Sequence, residues 1–537
     1  MERMPGRDRS RRVRGVAPHM IAAPSLGAIA AQAARKFANR GCLTFKGRHW
    51  TFAQVDAIVG ALSAALAARL AAGARVGLFM TNRPEYIFLQ LALERAGLVR
   101  VPLNARFTAH EVGLILEHST ADALFFDSVT SDRASDVALR MPKLWWCEVD
   151  NEHSANAGNW PDLCRTTGRN NEMRPVALDD ICSINYTSGT SGKPKGVVLT
   201  HRNWSAMYKN MLVDRDIRGD DVIAHIGPLT HASGTYFLAW FLRGARNVIV
   251  EGSTVDSLLE TIARERVTVF TCVPTVLTRI VNHADIDRYD LNSLRAIGYG
   301  AEPIPLNTLE KALHRCGHIL TQNYGQTEAM MTVTVLRPED HFKEDGKTLR
   351  VGCIGRPYTF VEVALRNPAG KVVPANEVGE ITIRSEHMMS AYWNRPDETA
   401  KVLRDGWLWT GDLATSDAEG YITLTGRSKE MLISGGSNIY PQEVEAWLTS
   451  HPSVLEAAVF GLPDPDWGEI AVAYISTVPA ARLDAAALRE HCKPALGFKT
   501  PKVFRFVELL PKNANGKIDK AALKAAALKD PRDAHHD

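Results

Sequence analysis

Cysteine is scarce in this chain, and no two cysteines form a C-x-x-C pair. The eight cysteines are scattered over 537 residues. Zinc sites and disulfide frameworks need clustered or regularly spaced cysteines, so the sequence disfavours both. We therefore expect reduced thiols and a cytoplasmic location. The neighbours Cys316 and His318 fit the end of a helix better than a pair of metal ligands.

The chain also lacks a long uncharged apolar run and a recognisable secretion signal. The Ala-rich stretch Ile58 to Met80 is interrupted by Arg69 and Arg75, which makes it too polar to span a membrane. The arginine-rich start is followed by no apolar core and no small-residue cleavage site. We expect residues 1–19 to form a disordered basic arm, and the folded part to begin near Met20 with a helix.

A strong charge of one sign is absent as well. The formal net charge is +3, and residues 1–14 alone carry a net charge of +4, so the remainder is close to neutral. Without a basic face, nucleic acid is disfavoured as a partner. Hydrophobic residues make up 45% and charged residues 23%, as in ordinary folded proteins. A chain of this length predicts two or more domains.

The common nucleotide-binding P-loop is missing, but another phosphate-binding pattern is present. Residues 186–196 contain three glycines, four Ser or Thr hydroxyls and two lysines. The pattern G-x-x-x-x-G-K-[ST] would need glycine and a hydroxyl residue where this chain has Thr187 and Pro194. Backbone N–H groups of a glycine-rich turn form an anion nest, to which hydroxyl and ammonium groups add donors. The hydroxyl–Gly–Lys order favours a phosphate loop over a flexible linker.

Strand and helix patterns alternate along most of the chain. Strands are predicted at 75–80, 123–126, 180–186, 196–201, 247–251 and 267–272, and helices at 84–97 and 258–264. Such alternation favours βαβ units and mixed or parallel sheets. The polar stretch 151–175 is predicted to be an exposed excursion, that is, a surface segment that precedes the phosphate-loop strand.

A compositional boundary near residues 426–430 separates a second unit of about a hundred residues. A helix is predicted at 441–448, and strands at 455–460, 470–475 and 503–507. This size suits a small α/β domain. The predicted domains are a large one over 20–427 and a small one over 428–537.

Two segments of the large domain combine groups that bind nucleotides. Asn323 to Glu328 offers an aromatic face, a glycine, a hydroxyl and a carboxylate, and a carboxylate beside a polyphosphate suits Mg²⁺. Trp409 to Leu413 places Asp412 after a glycine, which suits the two hydroxyls of a ribose. The alternatives are a solvated helix start for Glu328 and an ordinary turn for Asp412.

Two further segments lie at the boundary and near the end of the chain. Gly426 to Asn438 begins with a charged turn and contains the pair Gly435–Gly436, for which a solvated hairpin is the alternative. Pro511 to Lys517 contains an Asn-Gly turn that presents Lys517 at a tip. An ammonium there could stabilise charge at a phosphoryl centre, although most lysines are only solvated surface groups.

In this order and spacing, the five segments resemble the adenylate-forming superfamily, which includes acyl-CoA synthetases, adenylation domains of peptide synthetases and firefly-type luciferases. The resemblance runs from about Leu26 to Leu523. It implies an α/β fold with a large N-terminal domain of mixed sheets and helices, and a small mobile C-terminal domain. It also implies ATP, Mg²⁺, CoA and a small carboxylic acid as the bound molecules, and it is compatible with a homodimer.

The resemblance assigns roles to individual residues. Lys517, Glu328, Thr327 and His231 are implied as catalytic, and Thr190 and Glu328 as contacts of the metal. The residues implied to bind ATP or CoA are Thr187, Ser188, Gly189, Thr190, Ser191, Gly192, Lys193, Lys195, Gly300, Ala301, Glu302, Asn323, Tyr324, Gly325, Asp412, Arg427, Lys429, Ser434, Gly435 and Gly436. Lys429 is the implied hinge, and Ser434–Gly436 the implied pantetheine tunnel.

The implied reaction is AMP-forming ligation of a carboxylic acid to CoA by way of an acyl-AMP. The expected acyl-pocket segments, 236–237, 273–275, 298–300 and 325 with 330–331, are apolar and contain no Lys or Arg. A medium- or long-chain fatty acid or an aryl acid is therefore expected, with a weak preference for an aliphatic chain. His231 stands at the implied acyl gate, with a packed core histidine as the alternative. A freestanding enzyme that loads a carrier protein and a non-catalytic nucleotide-binding protein are the rival functions.

Overall fold

The computed structural model describes most of the chain. The described residues are 24–150, 160–165, 174–187, 195–478, 481–513 and 517–529. Several sequence-based predictions therefore fall outside them. These are the basic arm 1–19, most of the excursion 151–175, the phosphate-loop residues 188–194 and the Asn-Gly turn at 515–516.

The described residues form a mixed set of strands and helices. The strands are β1 Gly41–Phe45, β2 Arg48–Thr51, β3 Arg75–Phe79, β4 Val99–Leu103, β5 Ala123–Phe126, β6 Trp145–Glu148, β7 Ile181–Thr187, β8 Lys195–Thr200, β9 Val222–His225, β10 Arg246–Ile249, β11 Val269–Cys272, β12 Ala296–Gly300, β13 Leu320–Gln326, β14 Ala329–Leu336, β15 Cys353–Pro357, β16 Glu362–Arg366, β17 Gly379–Arg384, β18 Ala391–Tyr392, β19 Leu403–Arg404, β20 Trp407–Ser416, β21 Ile422–Arg427, β22 Leu432–Ser434, β23 Ser437–Ile439, β24 Val454–Asp464, β25 Gly468–Thr477 and β26 Val503–Phe506.

The helices follow the same chain order. They are α1 Leu26–Lys36, α2 Phe52–Arg69, α3 Pro84–Ala96, α4 Ala109–Ser119, α5 Ser131–Arg140, α6 Trp160–Cys164, α7 His201–Asp214, α8 Ala232–Leu242, α9 Val255–Glu265, α10 Pro274–Val281, α11 Leu306–Cys316, α12 Pro396–Val402, α13 Pro441–Leu448, α14 Ala485–Leu496 and α15 Lys520–Ala527. Short 3₁₀ helices lie at Ile286–Arg288, Pro338–His341 and Gly497–Lys499.

Local sequence signals explain several of these boundaries. α3 begins with a proline in its first turn and ends at Gly97, whose φ of +65° is the left-handed conformation that glycine adopts easily. α4 begins at a capping box, in which Thr108 and Glu111 exchange side-chain and backbone hydrogen bonds. β5 is a run of four buried apolar residues, as expected for a strand covered on both faces.

The largest sheet places the β9–β13 region at its centre. Its strand order is β16-β17-β20-β21-β15-β14-β13-β12-β11-β9-β10-β1-β2, with β19 paired to β20. The segment from β13 through β12, β11, β9 and β10 to β1 is parallel, and the strands from β14 to β16 pair antiparallel. Adjacent parallel strands end at the same edge, so the loops after β9, β11, β12 and β13 gather there.

A second sheet and a small third sheet complete the architecture. The second has the order β18-β8-β7-β4-β3-β5-β6, and β7 and β8, which flank the phosphate-loop segment in the sequence, pair antiparallel. The third sheet has the order β23-β22-β25-β24, with β26 parallel to β25. It carries a separate apolar cluster on each face, so the small unit has its own core.

The predicted fold class is confirmed: the protein is mixed α/β with a large N-terminal part and a smaller C-terminal unit. β5, α13 and α9 lie where the sequence predicted a strand and two helices. The end of α11 at Cys316 confirms the helix end predicted there. The first helix begins at Leu26 among the described residues, later than the helix predicted from residue 21.

One helix of the described residues, α2, is long and apolar enough by length and composition alone to cross a membrane. Core helices of folded domains pass the same test. α2 packs against α1 and α3, and its buried side chains include Phe52, Val55, Leu62 and Leu66.

Candidate active site

The carboxyl edge of the central parallel strands gathers several of the predicted site residues. His231 follows β9, Thr275 follows β11, Glu302 follows β12, and Glu328 follows β13 in the turn to β14. In open α/β sheets this edge is where ligands bind. The site is thus a crevice whose floor consists of strand ends and whose walls consist of the loops that leave them.

Two glycines allow β12, β13 and β14 to lie this close together. A Cβ on Gly300 would stand 2.2 Å from the carbonyl oxygen of Asn323, and the φ of Gly300 is +158°. A Cβ on Gly325 would stand 2.5 Å from the backbone nitrogen of Met331. Any larger residue would push the strands apart, which explains the glycines beside this crevice. Ala301 also has a positive φ of +72°, an uncommon conformation for alanine.

Glu302 is held by the start of α10. Its carboxylate accepts hydrogen bonds from the backbone N–H and the hydroxyl of Thr275, at 3.0 and 2.9 Å. A carboxylate at a helix N-terminus is stabilised by the unsatisfied N–H groups and by the helix dipole. Glu302 therefore ties the loop after β12 to the loop after β11.

Asp412 is the centre of a buried hydrogen-bond network. The register of β20 and β21 places Asp412 directly opposite Arg427, whose Nε lies 2.9 Å from the carboxylate. Tyr324 and Gln326 of β13 each donate to the other carboxylate oxygen, at 2.6 Å. Asp412 is only 5% exposed. Burial, and then the Asp412 charge, raise the pKa of Tyr324, so the phenol stays a donor.

The structure rules out the alternative in which Asp412 is only part of an ordinary turn. The sequence allowed an ordinary turn, but Asp412 lies inside strand β20, and Gly411 before it has a φ of +75°. Glu328 likewise lies in a strand-to-strand turn and not at a helix start. Gln326 was not predicted as a site residue. It is the last residue of β13, and its side-chain amide reaches Asp412 on β20.

Glu328 is fixed by a residue that the sequence analysis missed. The hydroxyl of Tyr392, on β18, donates to Glu328 Oε1 at 2.7 Å, and burial followed by the Glu328 charge raises the pKa of Tyr392. The ammonium of Lys195 lies 5.2 Å from the centre of the Tyr392 ring and 2.5 Å from Glu398. Lys195 at the exit of the phosphate loop is therefore linked to Glu328 through one aromatic side chain.

The phosphate loop itself is described only at its ends. Thr187 closes β7 and pairs with Lys195, which opens β8. The predicted residues Ser188, Gly189, Thr190, Ser191, Gly192 and Lys193 lie outside the described residues. Thr327 lies in the turn beside Glu328 and is half-buried. The hairpin ends and this turn thus border the same crevice through Lys195, Tyr392 and Glu328.

Lys517 of the small unit enters this crevice. Burial, and next the Arg427 charge, lower its pKa, while the carboxylates of Glu302 and Asp412 act in the opposite direction. Its loop is closed by two hydrogen bonds with Asn513, Lys517 N–H to Asn513 Oδ1 at 3.1 Å and Asn513 N–H to the Lys517 carbonyl at 2.8 Å. The small unit thus brings an ammonium among charged groups of the large part.

His231 faces the same ammonium. The residue as a whole is exposed, yet protein atoms surround its imidazole closely enough to desolvate it. This desolvation, and next the charge of Lys517, lower its pKa to about 4. His231 is therefore neutral near pH 7, and it is not the packed core histidine that the sequence left as the alternative.

The remaining predicted residues lie at the boundary and on the small unit. Lys429 is exposed in the turn after β21, next to Glu430, which pairs with Lys520 at 3.3 Å. Ser434, Gly435 and Gly436 form the β22–β23 hairpin turn. Among the described residues, no hydrogen bond or ion pair joins this turn to the crevice. Instead, Gly435 packs against the ring of Trp467, where a Cβ would meet the ring at 2.7 Å.

The expected acyl pocket contains a second residue that the sequence analysis missed. Tyr236 of α8 and Gly298 of β12 belong to the expected pocket segments, and both lie beside the guanidinium of Arg215. The statement that those segments contain no Lys or Arg is correct. The fold nevertheless brings an arginine to them from the end of α7, and no sequence signal marks it.

No group of three or more His, Cys, Asp and Glu side chains that could hold a metal ion occurs among the described residues. Glu328 is a single carboxylate next to the phosphate-loop hairpin. This suits Mg²⁺ that arrives with ATP, because Mg²⁺ takes one or two protein carboxylates together with phosphate oxygens.

Two curated relatives match nearly the whole chain or most of it. A feruloyl-CoA synthase from Amycolatopsis sp is 36% identical over 507 residues, covering 93% of this chain and 98% of that protein. The medium/long-chain-fatty-acid–CoA ligase FadD8 from Mycobacterium tuberculosis is 31% identical over 475 residues, covering 84% of this chain and 81% of that protein.

Solved structures with the same fold include other adenylate-forming enzymes. The amide bond synthetase McbA from Marinactinospora thermotolerans has a TM-score of 0.86 at 30% identity and covers 94% of this chain and 99% of its own. The anthranilate CoA ligase AuaEII, in complex with anthranoyl-AMP, has a TM-score of 0.86 at 27% identity and covers 94% of this chain and 97% of its own.

Models of two protein families match in the expected order. The AMP-binding enzyme model matches residues 30–393, and the AMP-binding enzyme C-terminal domain model matches residues 443–517. ATP and CoA are accordingly the co-substrates, and Mg²⁺ is the metal cofactor. The chain belongs to the AMP-binding enzyme family and is an AMP-forming acid–thiol ligase.

Proposed function

We propose that the protein activates a medium- or long-chain fatty acid or an aryl acid as its acyl-AMP, with release of pyrophosphate, and then transfers the acyl group to CoA. The observation that supports this most directly is the position of Lys517. An ammonium carried by the small unit lies in the crevice together with Asp412, Arg427, Glu302 and His231. Nucleotide binding alone would not need this arrangement.

In the first half-reaction, a carboxylate oxygen attacks the α-phosphorus of ATP and pyrophosphate leaves. A carboxylate is a weak nucleophile that meets a polyanion, so positioning and charge neutralisation supply most of the rate. Lys517 would bridge the carboxylate and the α-phosphate, where it stabilises the charge that builds up in the transition state. The lowered pKa of Lys517 reflects burial that strengthens such a contact.

The nucleotide would be held by the network around Asp412. We assign the ribose to Asp412 and Arg427, the adenine to the segments Gly300–Glu302 and Asn323–Gly325, and the α-phosphate to Thr327. The phosphates would lie along residues 187–195, with Thr190 near the metal. Bound Mg²⁺ would neutralise phosphate charge, and Glu328 would hold it; the hydrogen bond from Tyr392 to Glu328 supports this role by orienting the carboxylate.

The acid would enter past His231. Because the imidazole is neutral near pH 7, it can line the entrance without attracting a second anion or repelling Lys517. The second half-reaction requires a thiol at the acyl-AMP in place of Lys517. We propose that the small domain, residues 428–537, turns about Lys429 and brings the Ser434–Gly436 hairpin to the crevice as the path of pantetheine.

The acyl acceptor has two rivals to CoA. A freestanding enzyme would load a carrier protein through the same pantetheine thiol. The likeness to an amide bond synthetase, with its TM-score of 0.86, adds an amine as an acceptor that needs testing. Relatives named as feruloyl-CoA synthase and fatty-acid–CoA ligase favour CoA and both acid classes.

The test is pyrophosphate release from ATP with a panel of acids from acetate to palmitate, together with benzoates and cinnamates. Each acid is assayed without acceptor, with CoA, with a phosphopantetheinylated carrier protein and with a simple amine. We expect CoA to raise turnover on one acid class and a CoA thioester to be found by mass spectrometry. Stimulation by carrier protein or amine but not by CoA would contradict the proposal.

We also propose a cytoplasmic location, because none of the eight cysteines, all of which the structure describes, takes part in a disulfide. A homodimer remains a prediction, which light scattering of the purified protein would check.

A further inference from the structure

The side chain of Arg215 lies behind the reaction centre, where the acyl pocket is expected to end. Its guanidinium carbon is 5.4 Å from the centre of the Tyr236 ring and 5.5 Å from that of Trp240, one turn further along α8. A Cβ on Gly298 would stand 3.3 Å from Arg215 Nη2. Glycine at 298 therefore gives the guanidinium room to rest against β12.

The distance from the reaction centre to Arg215 can be estimated along two elements, α8 and β12. On α8, Tyr236 and Trp240 lie five and nine residues beyond His231, which is about 8 to 13 Å along a helix axis. On β12, Gly298 lies two residues before Gly300, about 7 Å along a strand. His231 and Glu302 face Lys517, so both elements lead from the reaction centre to Arg215.

The guanidinium has no carboxylate partner among the described residues. The acids on either side of it are engaged elsewhere: Asp214 pairs with Arg337 at 3.1 Å, and Asp216 pairs with Arg295 at 3.2 Å. The aromatic rings offer cation–π contacts, and the Tyr236 hydroxyl accepts a hydrogen bond from Arg215. A guanidinium has five N–H donors, so donors remain for a further acceptor. Arg215 is only partly exposed, so a polar atom bound there would be shielded from much of the solvent.

Cation–π packing alone does not account for an arginine at this place. The same two rings would be covered equally well by an apolar side chain, without the cost of desolvating a charge. A guanidinium that is half-buried, that lies beside Gly298 and that has no carboxylate partner in the described part of the chain is suited to receive an acceptor atom from a ligand.

We propose that Arg215 closes the far end of the acyl pocket and binds a hydrogen-bond-accepting oxygen at the end of the acid opposite the reacting carboxylate. This inference rests on the proposed ligase function and narrows its substrate class. The preferred acid is an extended one, with a phenol, ketone or similar oxygen about 8 to 13 Å from the carboxylate. Plain fatty acids of the same length would bind without using Arg215.

The test compares matched pairs of acids that differ in the distal oxygen. The pairs are 4-hydroxycinnamate with cinnamate, and 7-oxooctanoate with octanoate. For the wild type, we expect kcat/KM to favour the oxygen-bearing member of each pair by about 10- to 100-fold. Arg215→Met keeps an apolar stem against the two rings but removes every donor, so the ratio should fall close to one, mainly through loss of kcat/KM for the oxygen-bearing acid.

Two further variants make the result decisive. Arg215→Lys keeps the positive charge with fewer donors, and we expect an intermediate ratio. Arg218→Met removes an exposed arginine that pairs with Asp216, and it should leave the ratio unchanged. A wild-type ratio near one, an unchanged ratio in Arg215→Lys, or an equal loss for both members of a pair would overturn the inference and leave the ligase standing. Absence of pyrophosphate release and thioester with all four acids would overturn the proposed function itself.

Discussion

At the scale of single residues, the catalytic case depends on Lys517. Its ammonium is partly buried among Arg427, Glu302 and Asp412, and it lies in a loop that Asn513 closes by hydrogen bonds. We predict that Lys517→Ala lowers the rate of pyrophosphate release by about 10²- to 10³-fold, because a charge that faces the transition state is lost. The Kd for ATP should change only a few-fold, since the ribose network around Asp412 is intact.

Lys512→Ala is the matched control for that experiment. Lys512 stands on the same loop but pairs with Glu456 at 2.6 Å. The control should release pyrophosphate at close to the wild-type rate. Adenylation at the wild-type rate by Lys517→Ala, measured by isotope exchange between pyrophosphate and ATP, would show that the lysine has no role in this step.

His387 gives a prediction about acid sensitivity. It is 1% exposed, its Nδ1 lies 2.8 Å from the Ser385 hydroxyl, and burial lowers its pKa from 6.5 to about 3. At pH values between these two pKa values, His387 is protonated in the unfolded chain but not in the folded one. The free energy of unfolding therefore falls as the pH falls. Relative to His387→Gln, the wild type should lose about 1.4 kcal/mol of unfolding free energy between about pH 7.5 and 5.5.

Urea unfolding of both proteins at the two pH values, followed by tryptophan fluorescence, measures this difference. Other buried groups that titrate here, His201 among them, are common to both proteins and cancel. A stability difference that does not change with pH would mean that His387 takes up its proton in the folded state.

Site residues could be proposed from the sequence where the chemistry leaves a local pattern. The motifs around Glu328, Asp412 and Lys517 could be recognised because glycine, hydroxyl and charged residues stand close together along the chain. Tyr392 and Arg215 could not be found this way. Each is one polar or aromatic residue in an ordinary segment, and only the pairing of distant strands and helices brings it to Glu328 or Gly298.

At the scale of secondary-structure elements, the site depends on how closely β12 and β13 approach. We predict that Gly300→Ala costs roughly 3 kcal/mol of stability and raises the KM for ATP at least about tenfold. The new Cβ would lie 2.2 Å from the Asn323 carbonyl oxygen, and the φ of +158° is strained for alanine. The strand ends that carry Glu302 and Tyr324 would be forced apart.

Gly113→Ala in α4 is the control, because no neighbouring atom lies within 4 Å of the added Cβ. It should be neutral, or more stable by up to about 1 kcal/mol, since alanine favours a helix. Thermal denaturation and initial rates at varied ATP concentration measure both effects. Equal behaviour of the two variants would argue against close strand approach as the reason for Gly300.

Element types were predictable from short apolar runs, whereas the roles of irregular segments were not. β5 and β11 are buried runs between clear turn signals. The Thr-Gly-Asp segment looked like a turn by composition, yet it lies within β20, because pairing with β17 and β21 holds Asp412 in a strand. Composition reports local preference, and tertiary pairing overrides it at such places.

At the scale of the whole molecule, the presence of a large part and a smaller C-terminal unit was predictable from length and composition. The order of the strands in the large sheet was not, because pairs such as β1 with β10 and β15 with β21 join segments far apart in sequence. The position of the small unit against the large part could not be predicted from the sequence either. Lys517 reaches the crevice only because the small unit lies against the large part, where α13 contacts β21.

That arrangement suits adenylation, because it holds the Lys517 ammonium at the reaction centre. A thiol must reach the same centre in the second half-reaction, so we expect that step to need a different arrangement of the two parts. Lys429 lies in the turn between the parts, and within the described part of the chain its backbone N–H donates to no carbonyl. A proline at 429 therefore removes no hydrogen bond from the adenylation arrangement, while it fixes φ near −65° and restricts Ser428. We predict that Lys429→Pro keeps acyl-AMP formation within a few-fold but lowers thioester formation at least about tenfold.

Lys429→Ala is the matched control, since it removes the same side chain but leaves the backbone free to rotate. Single-turnover assays separate the two steps: pyrophosphate release reports adenylation, and transfer from preformed acyl-AMP to CoA reports thioester formation. We expect the alanine variant to carry out both steps at close to wild-type rates. If the proline variant lost both steps equally, or if the alanine variant lost thioester formation as strongly, rotation of the backbone at Lys429 would not be what connects the two reactions.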